Sequence, residues 1–378
     1  MKEEGFDSKT VMLNYYSSIN SKDYFDVVLT TKPTLYSKVF SPISAYYWYV
    51  KYLLSFDIFH LPCSGFFLGS SILWRLEGPL FRLFGKKIIV IPYGGDFYMY
   101  SKIKSPSLQH GLLLSYPKNA LNEGAIARKV KYWTRQANIF ITCFQLGGAS
   151  RWDVLPFNAL IINTKEWTSK KHYNKKDGKN GFVNIAHTPN HRGFKGTEFL
   201  IQAVKELQDE GLLINLILIE KKPNSEVKKI LFEDADILAE QFIATAYALS
   251  GVEGMATGLP VMSNLDEEIY TRLFRRFSYL NECPILSTTP ENIKENLKIL
   301  ITNPELRKEL GIAGQRYVAK YHSYSTSKYF FGAIYKNIWN GEKLDLLNMF
   351  HPLKKSSYNN KMDIIKHPLI ENKLPSYV

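Results

Sequence analysis

The sequence predicts an α/β protein made of two doubly wound domains with parallel sheets, and three observations carry that prediction. The chain has 378 residues, about twice the length of an ordinary domain. Short apolar runs alternate with longer amphipathic stretches, the pattern of strands joined by crossover helices. The alternation breaks once, at the Lys-rich, aperiodic TSKKHYNKKDGK of residues 168–179, and then restarts.

In the first half, apolar runs bounded by polar or Gly/Pro residues predict strands at 10–13, 27–30, 57–61, 88–92, 139–143 and 159–162. Helical periodicity predicts helices at 44–55, 70–84 and 123–135. After the break, strands are expected at 182–187, 214–219, 237–240, 260–263 and 285–287. Helices are expected at 197–209, 250–257 and 290–301, with more helix from 304 to about 340. This gives a first domain at 1–165, a linker at 166–180 and a second domain at 181–325. A helix at 326–342 is expected to pack back toward the first domain. The residues from 343 to 378, rich in Pro, Asn and Lys without periodicity, are expected to form a loosely ordered tail. Two such domains side by side leave a cleft at the carboxyl ends of both sheets, where open α/β sheets bind ligands.

Composition narrows the class. With 45% hydrophobic and 22% charged residues the chain is globular, which excludes disorder as its overall state. Cys63, Cys143 and Cys283 form no CxxC pair, which argues against a disulfide framework or structural zinc and fits a reducing cytosol. No apolar run approaches the length of a membrane span, and MKEEGFD at the start lacks the features of a signal peptide. A cytoplasmic protein, at most peripheral on a membrane, is expected.

The net charge of +13 is uneven: residues 1–160 hold 18 Lys+Arg against 10 Asp+Glu, and residues 161–180 hold 6 against 2. A polyanion would meet this half first. No zinc-knuckle, RNP-like or helix-turn-helix signature accompanies the charge, so an anionic membrane is favoured over nucleic acid. SAYYWYVKYLLSF (44–56) and PLFRLFGKK (79–87) mix rings, aliphatics and cations, as either membrane-surface elements or core helices would.

Two segments carry chemistry. In VNIAHTPNHRGFKGTEFL (183–200) a strand ends at His187, a loop presents Arg192 and Lys195, and Gly196 opens a helix. Two cations beside a helix N-terminus form an anion site, Arg192 as a bidentate fork and Lys195 as a point charge. Surface cations in an ordinary βα loop are the plainer alternative. In AYALSGVEGMATGLPVMSN (246–264), Glu253 lies in a short helix and is placed to accept both hydroxyls of a ribose, or merely to favour the helix dipole. His60 and GGD (94–96) end strands of the first domain. His60, Gly95 and Asp96 would face the cleft, or be a satisfied histidine and a turn aspartate.

Together these segments resemble the nucleotide-sugar half of family-4 retaining glycosyltransferases, whose two Rossmann-like domains face across a cleft (GT-B). The Arg–Lys loop, EGMATGLPV (253–261) and NPELRKELG…YVAKYHS (303–323) carry the resemblance over roughly 181–340. FDIFH (56–60) and KKIIVIPYGGD (86–96) extend it more faintly into the first half. The resemblance implies that Arg192 and Lys195 grip the donor diphosphate as the catalytic pair. It places Glu253 on the ribose, and His187, Gly196, Gln241, Thr245, Tyr247, Ala248 and Leu249 around the donor. His60, Gly95 and Asp96 fall on the acceptor side.

The implied activity is transfer of a sugar from a nucleoside-diphosphate sugar to a hydroxyl of a glycan or lipid-linked acceptor. Retention of configuration, a role in surface polysaccharide synthesis, no cofactor, no protein-bound metal and no nucleic-acid partner are implied as well. The chain departs from the family at Thr245, where a Glu is usual, and at Gly254, where Ala is usual. At the positions of the subgroup pattern D-Q…G-x-Y-G stand Glu240, Gln241, Thr245, Tyr247 and Ala248, so Gln241 and Tyr247 are kept and both glycines are lost. The opening residues match the end of the family's first helix, so the first βα unit is expected to be missing. A catalytically impaired nucleotide-sugar-binding protein and a GT-B-fold epimerase therefore stay open. The acidic DAD at 234–236 precedes a strand instead of following one, and reads as a polar strand entry.

Overall fold

The computed structural model describes residues 2, 5–12, 25–29, 35–69, 71–141, 148–170, 172–355 and 357–375. The chain folds into two compact units, both α/β with parallel strands. The first comprises Met1–Ile103, Lys118–Pro156 and Phe330–Met349; the second comprises Lys104–Pro117, Phe157–Tyr329 and Phe350–Val378.

In the first unit, β1 (Val11–Met12) pairs in parallel with β2 (Val27–Val28). Helix α1 (Leu35–Ser55) leads to β3 (Ile58–Leu61), and α2 (Glu77–Leu83) leads to β4 (Lys87–Val90). The next helix, α3 (Pro106–Ser115), belongs to the second unit. The first unit resumes with α4 (Pro117–Leu121), α5 (Glu123–Gln136) and β5 (Ile139–Phe140). Strands β3, β4 and β5 form one parallel sheet, with His60 opposite Ile89 and Ile89 opposite Ile139. The core takes Tyr49 and Tyr52 from α1, Phe81 from α2, Trp133 from α5, and Phe59, Ile88 and Phe140 from the strands. Glu77 is fully buried and fixes the loop after β3, accepting the backbone N–H of Phe66 (3.0 Å) and of Leu68 (2.5 Å). Burial pushes its carboxyl up to about 7.

The second unit is built on a five-stranded parallel sheet. Its strands are β6 (Val183–His187), β7 (Ile214–Leu218), β8 (Ile237–Thr245), β9 (Val261–Asn264) and β10 (Leu286–Ser287). The order across the sheet is β10-β9-β8-β6-β7. From β6 the chain goes outward to β7 and then returns past β6 to β8, so the sheet reverses direction between β6 and β8. The connecting helices are α6 (Arg192–Lys195), α7 (Thr197–Asp209), α8 (Asn224–Glu233), α9 (Leu249–Thr257) and α10 (Glu268–Phe277). They are followed by α11 (Ile293–Thr302), α12 (Pro304–Tyr321) and α13 (Tyr324–Asn340). Starts are chemically explicit: Asn303 accepts from the Leu306 N–H ahead of Pro304, and Ser105 accepts from Leu108 ahead of Pro106.

Several expectations need correction. No strand forms at 159–162; there the Ile162 N–H instead donates to the carbonyl of His322 at 2.8 Å. The segment expected as a linker belongs to the second unit, because buried Arg307 donates to the carbonyls of Asn174, Lys176, Leu300 and Ile301. Two helices not expected over residues 1–165 form, α3 in the second unit and α4. The helix expected at 326–342 forms as α13, and from Phe330 on it goes with the first unit, where Tyr335 meets His60. The tail expected to be loose is anchored: Phe350, Tyr358, Ile365 and Leu369 are buried, and Asn372 donates to the carbonyls of Cys283 (2.6 Å) and Ile285 (3.0 Å). Cys143, Leu13 and Thr30 lie outside the described residues. Among the described residues no helix is long and apolar enough to cross a membrane.

Candidate functional site

A doubly wound sheet binds ligands where its strand order reverses, beyond the carboxyl ends of the two strands that flank the reversal. Here those strands are β6 and β8, and both candidate segments emerge there. After β6, the chain forms the single turn α6 with Arg192 at its start and Lys195 at its end. Gly196 then takes φ +75°, a conformation that favours glycine. A Cβ at Gly196 would stand 3.2 Å from Cβ of Phe242, so the β6–α7 turn lies directly against β8.

Lys195 is 4% exposed and Glu240 is 0% exposed. The ammonium donates to Glu240 Oε1 at 2.6 Å and to Gln241 Oε1 at 2.9 Å. Glu240 also accepts from Ser250 Oγ (2.9 Å), Ser263 Oγ (2.9 Å) and the backbone N–H of Ala248 (3.3 Å). Ala248 is the N-cap of α9, so a carboxylate of the chain itself sits at that helix N-terminus beside a buried cation. The register of β8 against β9 shifts on either side of Gln241, an irregularity of the kind that re-aims strand side chains. The sequence reading joined Lys195 to Arg192 in an anion site at the start of α7; in the structure the anion on the ammonium is Glu240, at the start of α9.

Arg192 turns elsewhere. Its guanidinium grips Glu220 with two bonds of 2.9 Å, Nε to Oε1 and Nη2 to Oε2, and Nη1 reaches Glu198 at 3.0 Å. These carboxylates hold Arg192 above its ordinary range, and Arg192 holds Glu220 below the usual carboxylate range. Arg192 and both partners are partly exposed, so this fork is open to exchange with a solvent-borne anion.

Glu253 lies inside α9, 6% exposed, and Oε1 accepts from Asn224 Nδ2 of α8 at 3.1 Å. Burial raises its carboxyl to about 7, against the opposing pull of Asn224. Arg192 and Lys195 therefore stand on the connection that follows β6 and Glu253 on the one that follows β8, each with a partner of its own. No hydrogen bond joins them to one another among the described residues.

The remaining donor-side candidates divide. Both ring nitrogens of buried His187 are used: Nδ1 donates to the carbonyl of Ala239 (2.6 Å), and Nε2 accepts from Thr197 Oγ1 (2.8 Å). Burial pushes this ring down to about 4, so it is a neutral brace between β6, β8 and α7. Tyr247 is equally committed, its hydroxyl meeting Tyr317 and His322 at 2.9 Å each. Gln241 donates to the carbonyls of Ala244 (3.1 Å) and Ala246 (2.5 Å). Thr245 is fully buried, and its hydroxyl finds no hydrogen-bond partner among the described residues. Next to it, Ala246 has φ +79°, unusual for a residue with a side chain. Leu249 is 43% exposed at the start of α9.

Helix α3 lies over the same turn, a feature not foreseen from the sequence. A Cβ on Gly111 would meet Ile243 Cγ2 at 2.7 Å, one on Gly193 would meet Leu114 at 3.1 Å, and the rings of Tyr116 and His191 are 4.5 Å apart. Leu108 and Leu112 are fully buried, and the helix start is tied down where Ser105 donates to Glu267 at 2.6 Å. Leu108, Gly111 and Leu112 do stand at helical spacing, but Pro106 and Gly111 interrupt the pattern and the sequence reading assigned no element there.

In the first unit, His60 Nε2 is 2.9 Å from the hydroxyl of Tyr335, and its ring centroid is 4.9 Å from that of Phe331. Asp96 is locked into its own loop, accepting from the N–H groups of Cys63 (2.7 Å), Gly94 (3.0 Å) and Tyr93 (3.1 Å). Gly95 lies beside Asn119, whose Nδ2 would be 3.0 Å from an added Cβ. Asp234-Ala235-Asp236 is a polar strand entry as expected, with Asp236 accepting from Asn174 (2.8 Å) and from the N–H of Asn184 (2.9 Å).

No protein-family model matches the chain, and no curated protein does. Among solved structures it is similar to HepE from Anabaena in complex with UDP and glucose, with 11% identity and a TM-score of 0.49 over 82% of this chain and 85% of that one. It is similar to S. aureus MnaA with UDP at 14% identity and a TM-score of 0.40, over 81% and 83% of the two chains. MurG from Acinetobacter baumannii shows 12% identity and a TM-score of 0.38, over 78% and 77%.

Proposed function

We propose that this chain is a GT-B-type glycosyltransferase that moves a sugar from a nucleoside-diphosphate sugar to a hydroxyl of a glycan or lipid-linked acceptor, with retention of configuration. The observation that supports the reading is that the two connections leaving β6 and β8, on either side of the reversal in the second unit's sheet, carry three groups suited to such a donor. Those groups are the Arg192 fork, the Lys195 ammonium beside the N-terminus of α9, and the carboxyl of Glu253. In the transfer the bond between the anomeric carbon and the diphosphate oxygen breaks, and the acceptor oxygen bonds to that carbon on the same face. The acceptor proton passes to the leaving diphosphate. Arg192 would leave Glu220 to neutralise that diphosphate; Lys195 adds a fixed positive charge from within, and Glu253 receives the ribose hydroxyls. Cytoplasmic work at a membrane surface, in polysaccharide synthesis, belongs to the same reading.

Two observations favour a second reading. Glu240 neutralises Lys195 from inside, and Thr245 occupies the position where the resembling family usually carries a Glu. Both would suit a protein that binds the nucleotide sugar without turning it over.

Incubation of the full chain with a panel of nucleotide sugars and membrane-derived acceptors separates the readings. Transfer predicts release of the nucleoside diphosphate only when acceptor is present, and a product anomer that matches the donor. Thermal stabilisation by a nucleotide sugar with no release supports the binding reading, and release without acceptor would point to an epimerase or hydrolase.

A further inference from the structure

A helix that packs on one side of a fold buries one apolar stripe and wets the other. Helix α1 departs from this. Its inner face is explained by the fold, since Tyr49, Tyr52 and Leu53 are 2–4% exposed. Its outer face carries Ile43, Tyr47, Val50 and Leu54, at 61%, 60%, 51% and 64% exposure. Spacings of four, three and four residues put these side chains in one stripe along the helix.

The neighbouring α2 repeats the anomaly. It is joined to α1 where the Tyr49 hydroxyl donates to the carbonyl of Glu77 (3.1 Å) and Tyr49 packs on Phe81 (ring centroids 5.5 Å apart). Leu76, Leu83 and Phe84, within α2 or flanking it, are 47%, 78% and 47% exposed.

Cations outnumber carboxylates on these elements. Over residues 43–87 the cations are Lys51, Arg75, Arg82, Lys86 and Lys87, and the carboxylates are Asp57 and Glu77. Glu77 is fully buried and Asp57 is paired with Lys86 at 3.0 Å. Lys51 lies over the ring of Trp48, 4.6 Å from its centroid, and Arg75 over that of Trp74 at 5.3 Å. Aliphatic and aromatic side chains bordered by cations are what a bilayer interface selects.

We propose that the outer stripe of α1, together with the exposed apolar residues of α2, inserts into the headgroup region of an anionic lipid bilayer. A second copy of the chain fits less well, although the stripe has a coiled-coil spacing. A two-fold interface would set the cations of one copy against those of the other, and the exposed carboxylate among them, Asp57, is already paired with Lys86. Anionic phosphates supply that countercharge. The inference deepens the proposed function by naming the surface that meets the membrane. It involves the first unit alone, so it stands or falls separately from the donor site.

The test is cosedimentation of the full chain with phosphatidylcholine vesicles, with and without about one-third phosphatidylglycerol, at low and high salt. Wild type is expected to bind the anionic vesicles, and to lose binding at high salt. Val50→Glu/Leu54→Glu is expected to bind about tenfold more weakly or worse, with an unchanged melting temperature, because both side chains already face solvent. Lys51→Glu serves as a second variant should the double one fold poorly, and is expected to weaken binding severalfold. Equal binding of wild type and these variants would overturn the proposal, as would equal binding to neutral vesicles. A concentration-dependent dimer in sedimentation, abolished by the double variant, would assign the stripe to a second copy and overturn it too. Nucleotide-sugar binding is expected to survive in the double variant, and vesicle binding to survive substitution of Arg192.

Discussion

At Glu253 the carboxyl is held 6% exposed beside the amide of Asn224, and burial moves its ionisation to about 7. Two ribose hydroxyls are best received by the ionised form, which makes up roughly a tenth of the molecules at pH 6 and nine-tenths at pH 8. Affinity for a nucleotide sugar, whose own phosphates do not titrate in this range, is therefore expected to tighten up to about tenfold between those pH values. Glu253→Gln should flatten the profile; calorimetric titration at both pH values checks this, and a flat wild-type profile would remove Glu253 from the ribose. Arg192, Lys195 and Glu253 were legible as candidates at this scale, because they are charges set among glycines and apolar residues. Their partners were not. Glu240, Asn224 and Glu220 lie 45, 29 and 28 residues from the groups they hold, and only strand order brings them together. Nor does residue type reveal that the polar atoms of His187 and Tyr247 are spent on neighbours within the unit.

Among the elements, strands β6 to β9 were readable because their apolar runs are bounded sharply, and α7 because its buried Leu200, Ala203, Val204 and Leu207 recur at helical spacing. The tail was not readable. It is held by separate anchors instead of a repeating face: Phe350, Tyr358, Ile365 and Leu369 are buried singly, and the Ser287 N–H donates to the carbonyl of Asn372 at 2.7 Å beside β10. Anchoring of that kind leaves no periodicity in a sequence. Four buried apolar side chains at about 1.5–3 kcal/mol each amount to several kcal/mol. Ending the chain after Met349 should accordingly lower the melting temperature by ~10 °C or more. An unchanged melting curve would mean that the tail contributes nothing to the second unit. Helix α3 and the Arg307-stitched segment likewise gain their meaning from distant carbonyls and side chains, beyond the reach of any local pattern.

For the whole molecule, the strand order of the second unit is what gives its charged residues a common address. The connections that leave the carboxyl edge of the sheet at β6 and β8 carry a fork open to exchange, a buried ammonium and a carboxyl poised near neutrality. Alternating strands and helices made the α/β class legible, whereas the division into units was not, since the chain crosses between them at residues 103–104, 117–118, 156–157, 329–330 and 349–350. The central claim is that this edge receives a nucleoside diphosphate. Arg192 is the better probe, because removing Lys195 would strand the buried carboxylate of Glu240 at a cost of about 3–5 kcal/mol and confound binding with folding. The most direct measurement is calorimetric titration of wild type and Arg192→Ala with the diphosphates of uridine, guanosine, adenosine and thymidine. At least one is predicted to bind one-to-one, and to bind Arg192→Ala ~10-fold or more weakly at an unchanged melting temperature. Failure of all four to bind, or equal affinity in the variant, would contradict it.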